Sequence, residues 1–558
     1  MTSALIDQLR TDLTSAHYSV SALTGLWGSA ADAALHRNQR VPALRALATL
    51  REKLGREERS GTLARLFVLG LPVPRTDLDA ALPTLGTDGA LALGLIGLGA
   101  HADSDESTDN ATNATDALVH PLLELRPYSF IDGHGSGSWW IVSDLGELAL
   151  GHELGENHVL GVGGASLTLA GLMIPNPVGS ALDLGTGCGI QAMHAARHAA
   201  RVVATDISER ALELAALNAE LNDIRNIEFR LGSLFDPVAG ERFDHIISNP
   251  PFVITPRTEG VPSYEYRDGG LVGDAIVEAV VRGAAAHLNP GGIAQLLGNW
   301  EYHDGAEAGN SDNSSVSGDA FDRLRSWLGA PTINAADGAA DTLPLDAWII
   351  EREAQGPTDY AETWIRDGGT RPDSADFDRL YGAWLDDFEA RGVSKVGFGY
   401  MLLRAPASTA SASASGDSPA PLRRLERLHD ALGSNAAGIG SHLAACLQAH
   451  DWQVATDDAQ LAATHLLVAP DVTEERHYWP GQDDPTLMTL HQGGGFGRTV
   501  QLDTALAALI GACDGDLSVG SIIAALAQLL DADETDLRVE LLPRVRELLD
   551  DGFVQAPA

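Results

Sequence analysis

The chain is 558 residues long, 44% hydrophobic, and carries 77 acids against 37 Lys and Arg, a net charge of −40. That length exceeds what one hydrophobic core organises, so several domains are expected, and the acidity repels nucleic acid over most of the surface. Three cysteines far apart, Cys188, Cys446 and Cys513, exclude a disulfide framework; with no apolar stretch of spanning length and no basic, apolar leader, the expected setting is the cytoplasm, away from membranes.

Residues 1–125 read as an N-terminal domain of short amphipathic helices, broken at Pro42, Gly55, Pro72 and Pro83. LARLFVLGLPV followed by LPTLGTDGALALGLI has the helix-and-wing layout of a small winged helix. Charge in this region departs from that of the whole chain. Eight bases (Arg37, Arg40, Arg45, Arg51, Lys53, Arg56, Arg59 and Arg65) stand among three acids (Glu52, Glu57 and Glu58). Either a phosphate-binding strip or a solvated helix face accounts for that run. The stretch 101–117 is polar and small-residue, cannot bury a core, and reads as a loop.

A second domain is expected over 126–405. His152, Glu153, Glu156 and His158 lie together near its start, but their spacing matches no metal-ligand set, and no metal is expected. In HVLGVGGASLTLAGLM (158–173), Gly161, Gly163 and Gly164 permit close backbone approach, and Ser166 and Thr168 serve either as ligand contacts or as helix caps. SALDL (180–184) is a short apolar run that suits a buried parallel strand. Gly185, Gly187 and Gly189 follow, interleaved with Thr186 and Cys188, before a helix-compatible stretch. Such a turn lets the backbone approach a ligand, and the helix N-terminus behind it offers N–H groups to a phosphate or a carboxylate. A dinucleotide fingerprint would need glycine at 190, where the chain has Ile190. Asp206 closes the next strand, RVVATD, ahead of Ile207; it is either a helix N-terminal acid or the partner of a ribose diol. NIEFRL makes a third strand, followed by Gly232, Ser233, Leu234, Phe235 and Asp236.

The fourth strand, FDHIIS, runs straight into Asn249-Pro250-Pro251-Phe252. Prolines cannot donate to a sheet and stiffen the loop they occupy. The chemistry this suits is transfer to a planar nitrogen, whose lone pair is delocalised and poorly nucleophilic. The Asn249 side-chain oxygen and the Pro250 carbonyl can accept its hydrogens, and Phe252 offers a face for stacking. Positioning and electrostatics then carry the rate in place of a strong base.

Downstream, PSYEYRDGGLVGDAIVEAVVRGAAAHLNPGG gives a loop, a helix and a turn, and IAQLLGNW a fifth strand. The polar stretch 304–320 opens an insertion reaching to about 392, with helices expected near 321–329 and 376–391 and a strand in DAWIIERE. KVGFGYMLLRA (395–405) is a last strand. Residues 406–421 read as a linker, and 422–558 as a C-terminal α+β domain ending in a second winged-helix-like layout.

The two motifs, ALDLGTGCGI (181–190) and IISNPPF (246–252), in this order and each after a strand, resemble the class I S-adenosylmethionine-dependent methyltransferases that modify planar nitrogens. The release-factor glutamine methyltransferases and the RNA guanine- and adenine-N methyltransferases are the similar groups. The resemblance is specific over 155–300 and implies an α/β, Rossmann-like, seven-stranded sheet between the two terminal domains. It implies S-adenosylmethionine as cofactor: Asp183 near the methionine ammonium, the 185–189 turn with Thr186 and Cys188 around it, Asp206 on the ribose, Ser233 at the adenine, and Ile207, Leu234 and Asn249 as further cofactor contacts. The adenine-binding acid found in many relatives is absent; Ser233 stands in its place. Asn249, Pro250, Pro251 and Phe252 are the catalytic residues implied. A base amine of RNA or DNA is the leading substrate, a protein glutamine amide the alternative. A non-catalytic scaffold that binds the cofactor is the reading from another class, disfavoured by the intact 249–252 loop.

Overall fold

The structure, a computed structural model, describes residues 2–99, 117–150, 155, 157–258, 260–262, 267, 269–303, 320–328, 345–407 and 421–556. The low-complexity stretches therefore lie almost wholly outside the described residues, as do His152, Glu153 and Glu156.

The centre is one sheet. Its strands are β1 Val178–Leu184, β2 Ala199–Asp206, β3 Ile227–Leu231, β4 Phe243–Ser248, β5 Leu288–His303, β6 Asp346–Gln355, β7 Val393–Arg404 and β8 Arg423–Arg427. Their spatial order is β8-β6-β7-β5-β4-β1-β2-β3. β7 runs antiparallel to both its neighbours, and the other pairings are parallel. Strands covered on both faces need apolar side chains on both, which is why Ala181, Leu182, Leu184, Val202, Val203, Ile246 and Ile247 are all buried. The order reverses at β1, which pairs with β2 on one side and β4 on the other. Connections from neighbouring strands diverge there, opening a crevice at the strands' carboxyl ends.

An eighth strand extends the seven expected. β8 follows directly on the expected linker, yet it pairs in parallel with β6. The C-terminal region is therefore built into the sheet edge. Glu426 of β8 accepts from Trp348 Nε1 at 2.6 Å and from Arg498 at 2.6 Å, and Arg424 pairs with Asp551. Beyond it, helix Gly440–Val454 leads to a three-stranded meander (Val472–His477, Leu487–Gln492, Thr499–Leu502), and then to helices Thr504–Gly511, Val519–Leu530 and Glu534–Asp550.

At the other end, helix Arg59–Phe67, strand Val73–Pro74, helices Arg75–Ala81 and Gly86–Ala92, and strands Ile96–Leu98 and Leu118–Pro121 follow the chain order of a winged helix, with the last strand central. A hairpin, Leu123–Asp132 with Gly135–Asp144, joins this module to helix Glu209–Leu221. Asn218 in the last turn of that helix and Asn222 at its C-cap lie four apart. Each amide both accepts from and donates to the hairpin backbone, Asn218 at Val142 (2.7 and 2.9 Å) and Asn222 at Trp140 (2.9 and 2.8 Å). Arg10 caps the same helix, donating to the carbonyls of Leu221 and Glu220. One apolar core runs from the N-terminal helices through the hairpin to Cys188, Ile190 and Leu214.

The insertion holds helices Ala320–Trp327 and Ala375–Arg391, near the expected positions, and a helix the sequence pattern did not flag, Pro357–Asp367. Tyr360, Ala361, Trp364 and Ile365 recur at helical spacing along it, and Tyr360, Ala361 and Ile365 are its buried face.

Candidate functional site

The glycine turn leaves β1 with Gly185, Gly187 and Gly189 all at positive φ (79°, 53° and 88°), a backbone that side chains resist. The three differ in what surrounds them. A Cβ on Gly189 would meet Ala215 at 2.9 Å, so this glycine serves packing against helix Glu209–Leu221. A Cβ on Gly185 or Gly187 would meet nothing within 4 Å. Those two border open space, the cradle a ligand needs.

Asp183 lies fully buried at the end of β1. Its Oδ2 accepts from the Thr186 hydroxyl at 2.6 Å and from the Ala192 N–H at 2.8 Å, while Oδ1 is buried without a partner. Burial pushes its pKa up to about 7. A buried carboxylate oxygen without a donor is costly, and a cationic ligand group beside it would relieve that cost. Thr186 thus orients Asp183. Asp206, at the end of β2, accepts from Gly187 N–H and Ser208 N–H at 2.9 Å each, and burial raises its pKa as well. It fixes the turn and starts the following helix at once, and each oxygen keeps lone pairs for a diol. Ile207 beside it is 63% exposed, an apolar side chain without cover. Ser233 is exposed, and Leu234, at φ 44°, is half-buried. Cys188 is buried and its thiol pushed up to about 11 by burial, so it is a packing residue; its carbonyl accepts from Asn218. Helix Gly164–Leu172 carries Ser166 and Thr168; the Ser166 carbonyl accepts from Gln191 of the helix behind the turn at 2.8 Å.

The two motifs meet through one hydrogen bond. Ser248 Oγ, at the last position of β4, donates to the carbonyl of Leu184, the last residue of β1, at 2.8 Å. The next residue is Asn249, whose Oδ1 is buried and accepts no hydrogen bond. Pro250 is buried behind it; Pro251 and Phe252 are half-buried, and the Phe252 ring lies 5.5 Å from that of Phe398. An acceptor held at a strand end by two prolines and left without a donor is what transfer to an N–H group requires. Among the described residues no group of His, Cys, Asp and Glu is placed to hold a metal.

Residues 162–304 match the family model described as the methyltransferase small domain. Over this stretch the chain is similar to methyltransferases. Its flanks match two domains of unknown function, over 15–106 and 444–556. Among curated proteins, the chain is 39% identical over 127 residues to the release factor glutamine methyltransferase of Xylella fastidiosa, covering 21% of this chain and 46% of that one. It is 29% identical over 184 residues to the ribosomal RNA small subunit methyltransferase C of Salmonella choleraesuis, covering 33% and 48%. The chain thus spans about half the length of the curated relatives it matches. Among solved structures, the Thermus thermophilus 16S rRNA N2 G1207 methyltransferase in complex with AdoMet and guanosine is 20% identical, with a TM-score of 0.23 and 41% and 55% covered. The family match spans β1 to β5 of the methyltransferase domain and omits the insertion, β6 to β8 and most of both terminal regions.

Three residues near the methyltransferase site escaped the sequence reading. The Tyr360 hydroxyl accepts from the Ile254 N–H, just past the 249–252 loop, and from the Asn299 amide, and Asp274 accepts from the Glu301 N–H. None carries a local motif; only their three-dimensional neighbours mark them. The basic run divides. Arg40 donates to the carbonyls of Leu69 and Leu148, Arg51 pairs with Glu57 and Arg56 with Glu58. Arg45, Lys53 and Arg59 are exposed, without an ion-pair partner among the described residues.

Proposed function

We propose that this chain is a cytoplasmic S-adenosylmethionine-dependent N-methyltransferase acting on a planar nitrogen. The observation that carries it is Asn249 Oδ1, a buried acceptor without a donor at the end of β4, tied to the glycine turn through Ser248. Asp183, with its unpartnered Oδ1, would hold the methionine ammonium, Asp206 the ribose, and Gly185 and Gly187 leave the room the cofactor occupies. Ile207 and Leu234 would flank the adenine, with Ser233 at its edge. The cofactor, when bound, supplies an electrophilic methyl group. Asn249 Oδ1 and the Pro250 carbonyl accept the target's two hydrogens and turn its lone pair outward. The prolines fix both acceptors beforehand, so little reorganisation is needed in the transition state. Phe252 holds the planar group.

A base amine of RNA or DNA is the substrate we favour, met by the exposed Arg45, Lys53 and Arg59 of the N-terminal module. A protein glutamine amide is the second reading, favoured by the names of relatives at 36–39% identity. Labelled S-adenosylmethionine offered with total RNA, with total DNA and with total protein, followed by mass spectrometry of the labelled product, tests both. Methylated base supports the first and N5-methylglutamine the second. Tight cofactor binding with no transfer to either would replace the enzyme with a sensor.

A further inference from the structure

The loop after Phe252 is held from the insertion, the part of the chain outside the family match. Ile254 N–H, two residues beyond Phe252, donates to the Tyr360 hydroxyl at 3.0 Å, and the amide of Asn299 on β5 donates to the same oxygen at 2.6 Å. Tyr360 is 3% exposed, and burial raises its pKa, so it stays a protonated phenol. It is packed in a core shared by Val253, Ile254, Ile365, Phe377, Trp384 and Phe388, with Phe252 against its edge. The far end of the segment is fastened likewise. Asp274 takes both nitrogens of a guanidinium fork from Arg323, at 2.7 and 2.5 Å, and accepts the Glu301 N–H at 3.0 Å. Both anchors, Tyr360 and Arg323, come from the insertion.

We propose that Tyr360 is a positioning residue for methyl transfer: through Ile254 N–H it sets the placement of the Asn249-to-Phe252 loop, with the insertion acting as the wall of the acceptor site. The proposal rests on the N-methyltransferase reading. A buried backbone N–H has few alternatives to this phenol oxygen, and small displacements of positioned groups cost rate more than binding. The Tyr360 ring is on the acceptor side of the site, and its hydroxyl touches none of the residues assigned to the cofactor. Its loss therefore separates turnover from cofactor affinity.

The test compares Tyr360→Phe with Phe377→Leu, which disturbs the same core without removing the hydroxyl. Readouts are hydrogen exchange at the Ile254 amide, melting temperature, S-adenosylmethionine affinity by calorimetry, and methyl transfer to total RNA and total protein at saturating S-adenosylmethionine. Tyr360→Phe should speed exchange at Ile254 and lower turnover roughly tenfold, with KM and Kd for S-adenosylmethionine within about twofold. Phe377→Leu should lower the melting temperature and keep turnover. Unchanged exchange at Ile254, turnover within twofold of the parent, or equal losses of turnover in both variants would overturn the proposal. An unmodified protein that transfers no methyl group to either acceptor fails the N-methyltransferase reading instead, and exchange at Ile254 then decides the clamp alone.

Discussion

The two halves of the methyltransferase site are built differently. The half proposed to hold the cofactor is local: Asp183, the 185–189 turn and Asp206 lie within 24 residues, and their hydrogen bonds run among themselves, as from Thr186 to Asp183 and from Gly187 to Asp206. The acceptor half is assembled from afar. Asn249 to Phe252 sit at a strand end, while Tyr360, which accepts from Ile254 just beyond them, and Asn299, which donates to Tyr360, come from more than 100 and 50 positions later. A locally closed motif keeps its geometry while its surroundings change. A loop held by distant elements can be re-aimed by whatever is inserted there.

The sharpest way to break that contrast is at Gly187. Gly187→Val places a β-branched side chain at φ 53° and fills open space. S-adenosylmethionine binding should weaken by about a hundredfold or more, from strain and reduced room together. Calorimetry showing unchanged affinity would remove the cofactor assignment. Asn249→Ala probes the other half: turnover should drop roughly a hundredfold, about 3 kcal/mol of transition-state stabilisation, while cofactor affinity changes little. Equal losses in both would mean the halves are not separable.

Asp183 sharpens the comparison through pH. Its carboxyl, raised by burial to about 7 from an ordinary 3.8, keeps its proton below about pH 7 in the folded protein without cofactor. Stability from this group is full below about pH 4 and is lost as pH rises towards 7, because the unfolded chain releases the proton first. A bound ammonium favours the ionised form. Affinity for S-adenosylmethionine should therefore rise with pH up to about 7, approaching tenfold per unit below it. Asp183→Asn should abolish this dependence, lower affinity, and raise the melting temperature at pH 8 relative to the parent protein. Calorimetry at pH 6 and 7.5 with thermal melts covers both; a flat affinity profile in the parent protein would take Asp183 away from the ammonium.

The smallest effect is expected at the N-terminal module. Reversing Arg45, Lys53 and Arg59 to Glu should weaken binding of an RNA substrate severalfold and flatten its salt dependence, by about 0.9 in logarithmic slope for each phosphate that is no longer neutralised. Arg40 is left out because its guanidinium holds the carbonyls of Leu69 and Leu148. Normal methylation by this variant at every salt concentration would favour the glutamine substrate.

What the sequence determined by itself was whatever is encoded by neighbours in the chain. The alternating glycines, the acids Asp183 and Asp206 near the ends of β1 and β2 and the stiff proline pair impose their geometry within a few residues, so the Rossmann-like centre was legible from 181–252 alone. The tertiary structure decided the rest. That β8 joins the sheet across the expected linker depends on the free edge of β6, which no local pattern announces. That Asn218 and Asn222 finish a hairpin edge, and that Gly189 serves packing while Gly187 borders open space, depends on what lies opposite. Tyr360 stands in no motif; only the fold brings its hydroxyl to the Ile254 amide. Long-range hydrogen bonds and packing leave no periodicity in a sequence, because their partners are set by the path of the whole chain.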